Sequence, residues 1–211
     1  MSLRIHEIFF SLQGESSRIG FPTIFIRLTG CPLRCQYCDT EYAFRGGNMM
    51  SEQEILQAIA QYPCKTVCVT GGEPLAQKAC FGLLSTLADA GYQVSLETSG
   101  AMDIAEVDAR VLVVMDIKTP DSAEVEKNLW GNIQHLKPSD EIKFVICSRA
   151  DFDWAVQCIA QYQLQQFPLI FSLSYHQIQA QDLAEWLLQS GVPARMQVQL
   201  YKILWGEKQG V

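Results

Sequence analysis

Short apolar runs alternate along this chain with longer amphipathic ones, and that rhythm constrains the fold more than any other feature. Strands are expected at Thr23–Leu28, Thr66–Thr70, Gln93–Glu97, Val111–Met115, Ile142–Ile146, Leu169–Leu173 and Gln197–Leu200. Several are apolar throughout and rich in Val and Ile, as in strands covered on both faces. Helices are expected at Ser51–Gln61, Gln77–Ala90, Arg149–Gln163 and Gln179–Ser190. Ser51 followed by Glu54 reads as a capping box, and Gly91 and Gly191 read as helix stops. Repeated βαβ units give a parallel sheet with right-handed crossovers. A closed eightfold barrel takes roughly 250 residues, and this chain has 211. The expected fold class is therefore α/β, an incomplete open (β/α) barrel of about six parallel strands, with residues 1–211 as a single domain. Ligands in such folds sit at the carboxyl ends of the strands.

Chemistry-bearing residues fall at those ends. Cys31–Asp39 follows the first expected strand, Gly71–Pro74 the second, Thr98–Gly100 the third and Asp116–Lys118 the fourth. Cys31, Cys35 and Cys38 form a Cys-x-x-x-Cys-x-x-Cys array. Three thiolates can ligate three corners of a four-iron cubane and leave one iron open to a small molecule, whereas electron-transfer cubanes usually use four cysteines. Structural zinc, a redox thiol pair and plain burial are the competing readings. Zinc sites usually close with four Cys or His ligands, commonly in two short pairs. The next cysteines, Cys64 and Cys68, lie in or beside an apolar run, and His6 and His135 have no ligand spacing. Cys64, Cys68, Cys80, Cys147 and Cys158 read as packing residues, and Met49 with Met50 as core.

The net charge of −7 argues against a general nucleic-acid binder, which needs clustered Lys and Arg. Eight cysteines without a secretion signal suggest a reducing compartment, and a cytoplasmic location is expected. No apolar run is long enough to span a bilayer, so no membrane association is expected.

Thr70-Gly71-Gly72-Glu73-Pro74 ends the second expected strand. Paired glycines let backbone approach a ligand, and the carbonyls and Glu73 suit an ammonium group; an ordinary strand-to-helix turn would look similar. Together with the cysteine array, this segment resembles the radical S-adenosylmethionine (SAM) superfamily. In that superfamily the methionyl amine and carboxylate chelate the open iron, and one electron splits the sulfonium to release a hydrogen-abstracting 5′-deoxyadenosyl radical.

A narrower resemblance covers nearly the whole chain. It rests on Ser11-Leu12-Gln13-Gly14-Glu15, Phe25-Ile26-Arg27-Leu28, Gly30-Cys31-Pro32, Tyr37-Cys38-Asp39-Thr40, Glu97-Thr98-Ser99-Gly100, Asp116-Ile117-Lys118, Lys143-Phe144-Val145-Ile146 and Gln199-Leu200-Tyr201-Lys202. In this order they are similar to the 7-carboxy-7-deazaguanine synthases of queuosine and deazapurine biosynthesis. The resemblance implies a lyase that contracts the ring of 6-carboxy-5,6,7,8-tetrahydropterin with loss of ammonia. It implies a 4Fe-4S cluster, S-adenosyl-L-methionine and Mg2+ as cofactors, a flavodoxin or ferredoxin as reductant, and a homodimer.

By the same resemblance Cys31, Cys35 and Cys38 ligate the catalytic cluster and Thr40 ligates magnesium. Leu12, Gln13, Gly14, Glu15, Arg27 and Thr70 are implied substrate contacts. Tyr37, Cys38, Asp39, Gly72, Glu73, Ser99, Asp116, Ile117, Lys118 and Ser172 are implied cofactor contacts. The chemistry suits these roles. A guanidinium at Arg27 can grip a carboxylate with two bonds, or else pair with a core carboxylate. Gln13 both donates and accepts, Glu15 accepts, and magnesium favours oxygen ligands.

Ser16 stands where family members often carry glycine. Phe171-Ser172-Leu173-Ser174 lacks a proline common in relatives, and Tyr201-Lys202 stands for a His-Lys pair. Two other functions share part of the pattern. A glycyl-radical activating enzyme needs the cysteines and Gly-Gly-Glu-Pro but not Leu-Gln-Gly-Glu or Arg27. A zinc-stabilised binding module needs only the cysteines.

Overall fold

The computed structural model describes residues 2–175 and 177–211. Its elements are β1 (Ser2–Leu12), β2 (Pro22–Leu28), β3 (Asn48–Ser51), α1 (Glu52–Ile59), β4 (Thr66–Gly71), α2 (Ala79–Asp89), β5 (Gln93–Thr98), β6 (Leu112–Ile117), β7 (Glu141–Ile146), α3 (Arg149–Gln161), β8 (Leu169–Leu173), α4 (Ala180–Ser190), β9 (Ala194–Gln197) and α5 (Leu200–Trp205). Among the described residues one open sheet runs β3-β1-β2-β4-β5-β6-β7-β8-β9.

From β2 through β4 to β9 every pairing is parallel, so the carboxyl ends of these strands share one edge. That makes seven parallel strands, in keeping with the expectation of about six. β1 pairs antiparallel with both β2 and β3, and it extends the sheet where no strand was expected. The last expected strand, Gln197–Leu200, is displaced: β9 ends at Gln197, and α5 begins at Leu200.

The helices form for local reasons. Ser51 accepts from the Glu54 backbone while Glu54 answers the Ser51 backbone, so the capping box is present; such a cap contributes about 1 kcal/mol. α1 buries Ile55 and Ile59, and α2 buries Cys80, Leu83, Leu84 and Leu87. α3 buries Phe152, whose ring meets Phe171 edge-on at 5.3 Å; Phe144 meets Phe171 the same way at 5.6 Å. These side chains belong to one continuous core. Cys80 and Cys158 are buried within it and Cys64 packs at its margin, whereas Cys68 and Cys147 are buried outside it, Cys68 beside Ser95, Glu97 and Gln13. Met50 also packs against the core, but Met49 is 54% exposed, contrary to expectation. On a four-residue edge strand, alternation turns one of two neighbours outward.

Between β5 and β6, and between β6 and β7, the chain returns without an α-helix and uses 3-10 turns in the second connection. The second connection meets the cysteine loop at the carboxyl edge, where the Gln36 amide donates to the Ser122 carbonyl at 3.2 Å. Among the described residues no helix is long and apolar enough to cross a membrane.

Candidate active site

A cleft of about 530 Å³ opens on the carboxyl edge of the parallel strands, a size suited to small ligands. Leu12, Gln13, Gly14, Glu15 and Arg27 line it, with Cys31, Cys35, Tyr37, Cys38, Asp39 and Thr40. Thr70, Gly72, Ser99, Asp116, Lys118 and Ser172 complete the expected set. Two expected contacts lie off the lining. Ile117 is core, and Glu73 is fully buried.

Glu73 ties two strand ends together. Its carboxylate accepts from the Leu75 and Ser99 amides at 2.9 and 2.7 Å and from the Thr98 and Ser99 hydroxyls. The turn after β4 is thereby pinned to the end of β5.

The cysteine loop leaves β2 through Gly30, whose φ of 97° belongs to the region glycine favours. Gly30 donates to the Ala43 carbonyl at 2.9 Å and accepts from the Glu73 amide at 2.9 Å. Arg34 braces the loop from outside, donating to the Cys31 carbonyl at 2.8 Å and lying over Phe44 at 4.4 Å. The three thiols lie within electrostatic reach of one another, and burial is the main cause pushing each above the usual cysteine value.

Among the described residues no three His, Cys, Asp or Glu side chains converge on a point one metal ion could share. A cubane takes each thiolate at a different corner, so its ligands need not converge on a single ion. Two buried polar atoms in the cleft wall, Asp116 Oδ1 and the Tyr37 hydroxyl, have no hydrogen-bond partner among the described residues. Unsatisfied buried groups are uncommon and call for an explanation. Three thiols with no fourth, beside unpartnered polar atoms, fit an open cluster that also holds a polar ligand.

Gly72 has a more specific role than free approach to a ligand. A Cβ there would stand 2.3 Å from the Gly30 carbonyl oxygen and 2.7 Å from Cys31 Cβ. The glycine lets the turn after β4 seat against the cysteine loop. Gly72→Ala is expected to lower reconstituted iron below half the wild-type content per chain. Gly82→Ala is the control, since its Cβ meets only Glu52 Oε1, at 3.3 Å. Full iron content in Gly72→Ala would refute this seating role.

The opposite wall carries charge. Lys143 binds Glu15 at 2.7 Å and stands 4.0 Å from Asp116, which Lys118 binds at 2.8 Å. Burial opposes the charge on both lysines, yet their carboxylate neighbours carry both above the usual lysine value. Gln13 Nε2 donates to Glu97 at 3.3 Å, and the Thr70 hydroxyl donates to the same carboxylate at 3.0 Å. Burial raises the Glu97 pKa, opposed chiefly by Lys143. Arg27 donates from Nε to Glu7 at 2.7 Å and lies 5.6 Å from the Phe9 ring and 5.7 Å from the Tyr42 ring. It both lines the cleft and pairs with a carboxylate.

Several lining residues carried no assigned role in the sequence. Glu97 and Lys143 stood in quoted motifs. Alternation from the apolar strand positions could have aimed Lys143 at the mouth. Tyr42 gave no signal, nor did Glu7, which lies off the lining and faces Arg27 just past a β-bulge in β1. Gln199 donates to Glu15 at 2.9 Å, Tyr201 donates to Asp39, and residues 207–211 return along the cleft. Gly14 fits beneath the Tyr201 ring, which an added Cβ would meet at 2.8 Å.

The Radical SAM superfamily profile matches residues 25–185. The 7-carboxy-7-deazaguanine synthase of Chlorobaculum tepidum is 43% identical over 207 residues, covering 96% of this chain and 94% of that protein. The protein of the same name from Koribacter versatilis is 40% identical over 219 residues, covering 96% and 97%. Among solved structures, QueE from Escherichia coli superposes with a TM-score of 0.78 at 23% identity, over 93% of this chain and 94% of that one. At that identity the likeness shows the fold alone. These relatives give the activating-enzyme alternative no support.

Proposed function

This chain belongs to the radical SAM superfamily and, within it, to the 7-carboxy-7-deazaguanine synthases, and from that premise we propose how its cleft works. It is a radical SAM lyase of deazapurine biosynthesis. The proposed reaction converts 6-carboxy-5,6,7,8-tetrahydropterin to 7-carboxy-7-deazaguanine with loss of ammonia, toward queuosine or a related deazapurine. One observation carries the reading: the cysteine loop, Arg27 and the Glu15–Lys143 pair open on a single cleft.

Cys31, Cys35 and Cys38 would hold the cluster. When bound, the cluster supplies an electron and S-adenosyl-L-methionine the carbon radical that begins the rearrangement. Tyr37 offers a ring face for a base, with Lys118 Nζ 5.7 Å from its centre. Ser99, Asp116, Lys118 and Ser172 offer polar atoms for ribose and methionyl groups. Arg27 would orient the pterin carboxylate with the part of its fork that Glu7 leaves free. Gln13, Glu15 and Thr70 would read the pterin's donors and acceptors, with Leu12 and Gly14 shaping the wall. Lys143 fixes the direction of Glu15 through its 2.7 Å bond to that carboxylate.

Thr40 stands at the start of a 3-10 turn, and its hydroxyl caps no backbone amide there. It donates to Asp39 at 2.7 Å, which leaves oxygen lone pairs for a cation. Magnesium held by Thr40, substrate oxygens and water is the proposed arrangement. Thr40→Ala is expected to keep its iron yet lose most of the stimulation of turnover by magnesium. An unaltered magnesium response would remove Thr40 as a ligand.

The nine strands form one sheet, which supports residues 1–211 acting as a single domain. A flavodoxin or ferredoxin as donor, a homodimer and a cytoplasmic location complete the proposal. Anaerobic reconstitution with iron and sulfide, then incubation with reductant, SAM, magnesium and the carboxypterin, tests the function. Mass analysis should find 7-carboxy-7-deazaguanine; 5′-deoxyadenosine without this product would overturn the substrate assignment.

A further inference from the structure

Ser16 is the residue at which this chain departs from its family's opening motif, and its backbone has a φ of 65°. L-residues rarely adopt that conformation unless their surroundings hold it. Ser16 is only 1% exposed, so water does not satisfy its backbone. Gln197, at the end of β9 and 4% exposed, does so with both ends of one amide. Its Oε1 accepts from the Ser16 amide at 2.8 Å, and its Nε2 donates to the Ser16 carbonyl at 3.0 Å. The next amide, Ser17, donates to both oxygens of buried Glu141 on β7, at 2.9 and 3.1 Å.

Glu141 and Gln197 do not line the cleft, but residues two positions further on reach Glu15. Lys143 binds one Glu15 oxygen at 2.7 Å, and Gln199 donates to the other at 2.9 Å. Each of two chain segments therefore grips the loop backbone with one residue and the Glu15 carboxylate with another.

We infer that Gln197 is a positioning residue for substrate recognition: its amide holds Ser16 in the left-handed conformation that aims Glu15 into the cleft. This rests on the reading of Glu15 as a substrate contact. It also explains how a serine is accommodated at a position that suits glycine. No bond from Gln197 to the substrate is invoked.

The test compares wild type, Gln197→Ala and the double variant Ser16→Gly/Gln197→Ala. In Gln197→Ala the amides of residues 15–17 should exchange at least tenfold faster by hydrogen-exchange mass spectrometry. KM for the carboxypterin should rise about tenfold with kcat within twofold and iron content unchanged. The double variant should recover at least a third of the lost affinity, because glycine adopts the required conformation without strain. Unchanged exchange and KM in Gln197→Ala would overturn the inference. So would a KM rise matched by loss of iron, which indicates general damage, or no recovery in the double variant. If wild type itself makes no deazaguanine, the functional reading fails, and the exchange comparison still decides whether Gln197 holds the loop.

Discussion

Arg27→Ala is expected to lower kcat/KM for the carboxypterin by about a hundred- to a thousandfold, because truncating one member of a buried charge pair typically costs 2–5 kcal/mol. The guanidinium is largely enclosed, with its side chain 15% exposed and set between Phe9 and Tyr42. Glu7 engages Nε and thereby fixes the plane of the fork. A substrate carboxylate entering this site loses its water and needs a charged donor in return. Removing Arg27 leaves that carboxylate, and Glu7, without a cation. Arg27→Lys should recover only part of the loss, since an ammonium cannot offer two parallel bonds. Glu7→Gln separates orientation from charge: KM should rise far less than in Arg27→Ala. Unchanged saturation behaviour in Arg27→Ala would remove the residue from substrate binding.

Lys143→Met should be damaging in a different way. Its ammonium lies among Glu15, Asp116 and Glu97 and is held above the usual lysine value by the first two despite burial. Removing it leaves carboxylates facing one another in a poorly hydrated wall. Breaking a buried pair in this manner costs about 3 kcal/mol or more, which is a fall in Tm of roughly 6–12 °C for a chain of this size. The pH dependence has a definite sign. Burial raises the Glu97 pKa, so the folded state keeps that proton to higher pH than the unfolded chain. Its contribution to stability is full below the unfolded carboxyl value and is lost as pH rises through the folded value. Without Lys143 that folded value rises further. The variant's deficit should therefore shrink on acidification towards the ordinary carboxylate range and grow towards neutrality. Thermal melts from pH 4 to 8 would show it; a deficit independent of pH would mean that packing, not charge, supports the wall.

Much of this was legible because the chemistry sits where regular strands end. Cys31, Gly72, Ser99 and Asp116 each follow an apolar run whose period and length announce a strand. β1 was not legible, because its bulge between Ile5 and Glu7 breaks the alternation. β9 was misplaced because a four-residue edge strand with mixed burial carries little periodicity, and Leu200 and Tyr201 extend the apolar signal into a helix. Charge partners such as Lys143 and Glu15 lie 128 residues apart in sequence, so no local pattern could join them. The glycine pair was read as giving room to a ligand, and both glycines line the cleft; Gly72 also gives room to the cysteine loop and Gly71 to the Leu28 backbone, contacts that only three-dimensional placement reveals.

The bond between Ser16 and Gln197 joins positions 181 residues apart. During synthesis, which proceeds from the amino end, the cysteine loop and the turn that seats against it are both complete by Pro74, well within the first half of the chain. The clasp on Ser16 must wait for β9, nearly the last segment to emerge. The part of the chain made first therefore carries the cysteine loop with its supporting turn, while the conformation that directs Glu15 is closed only by the last strand.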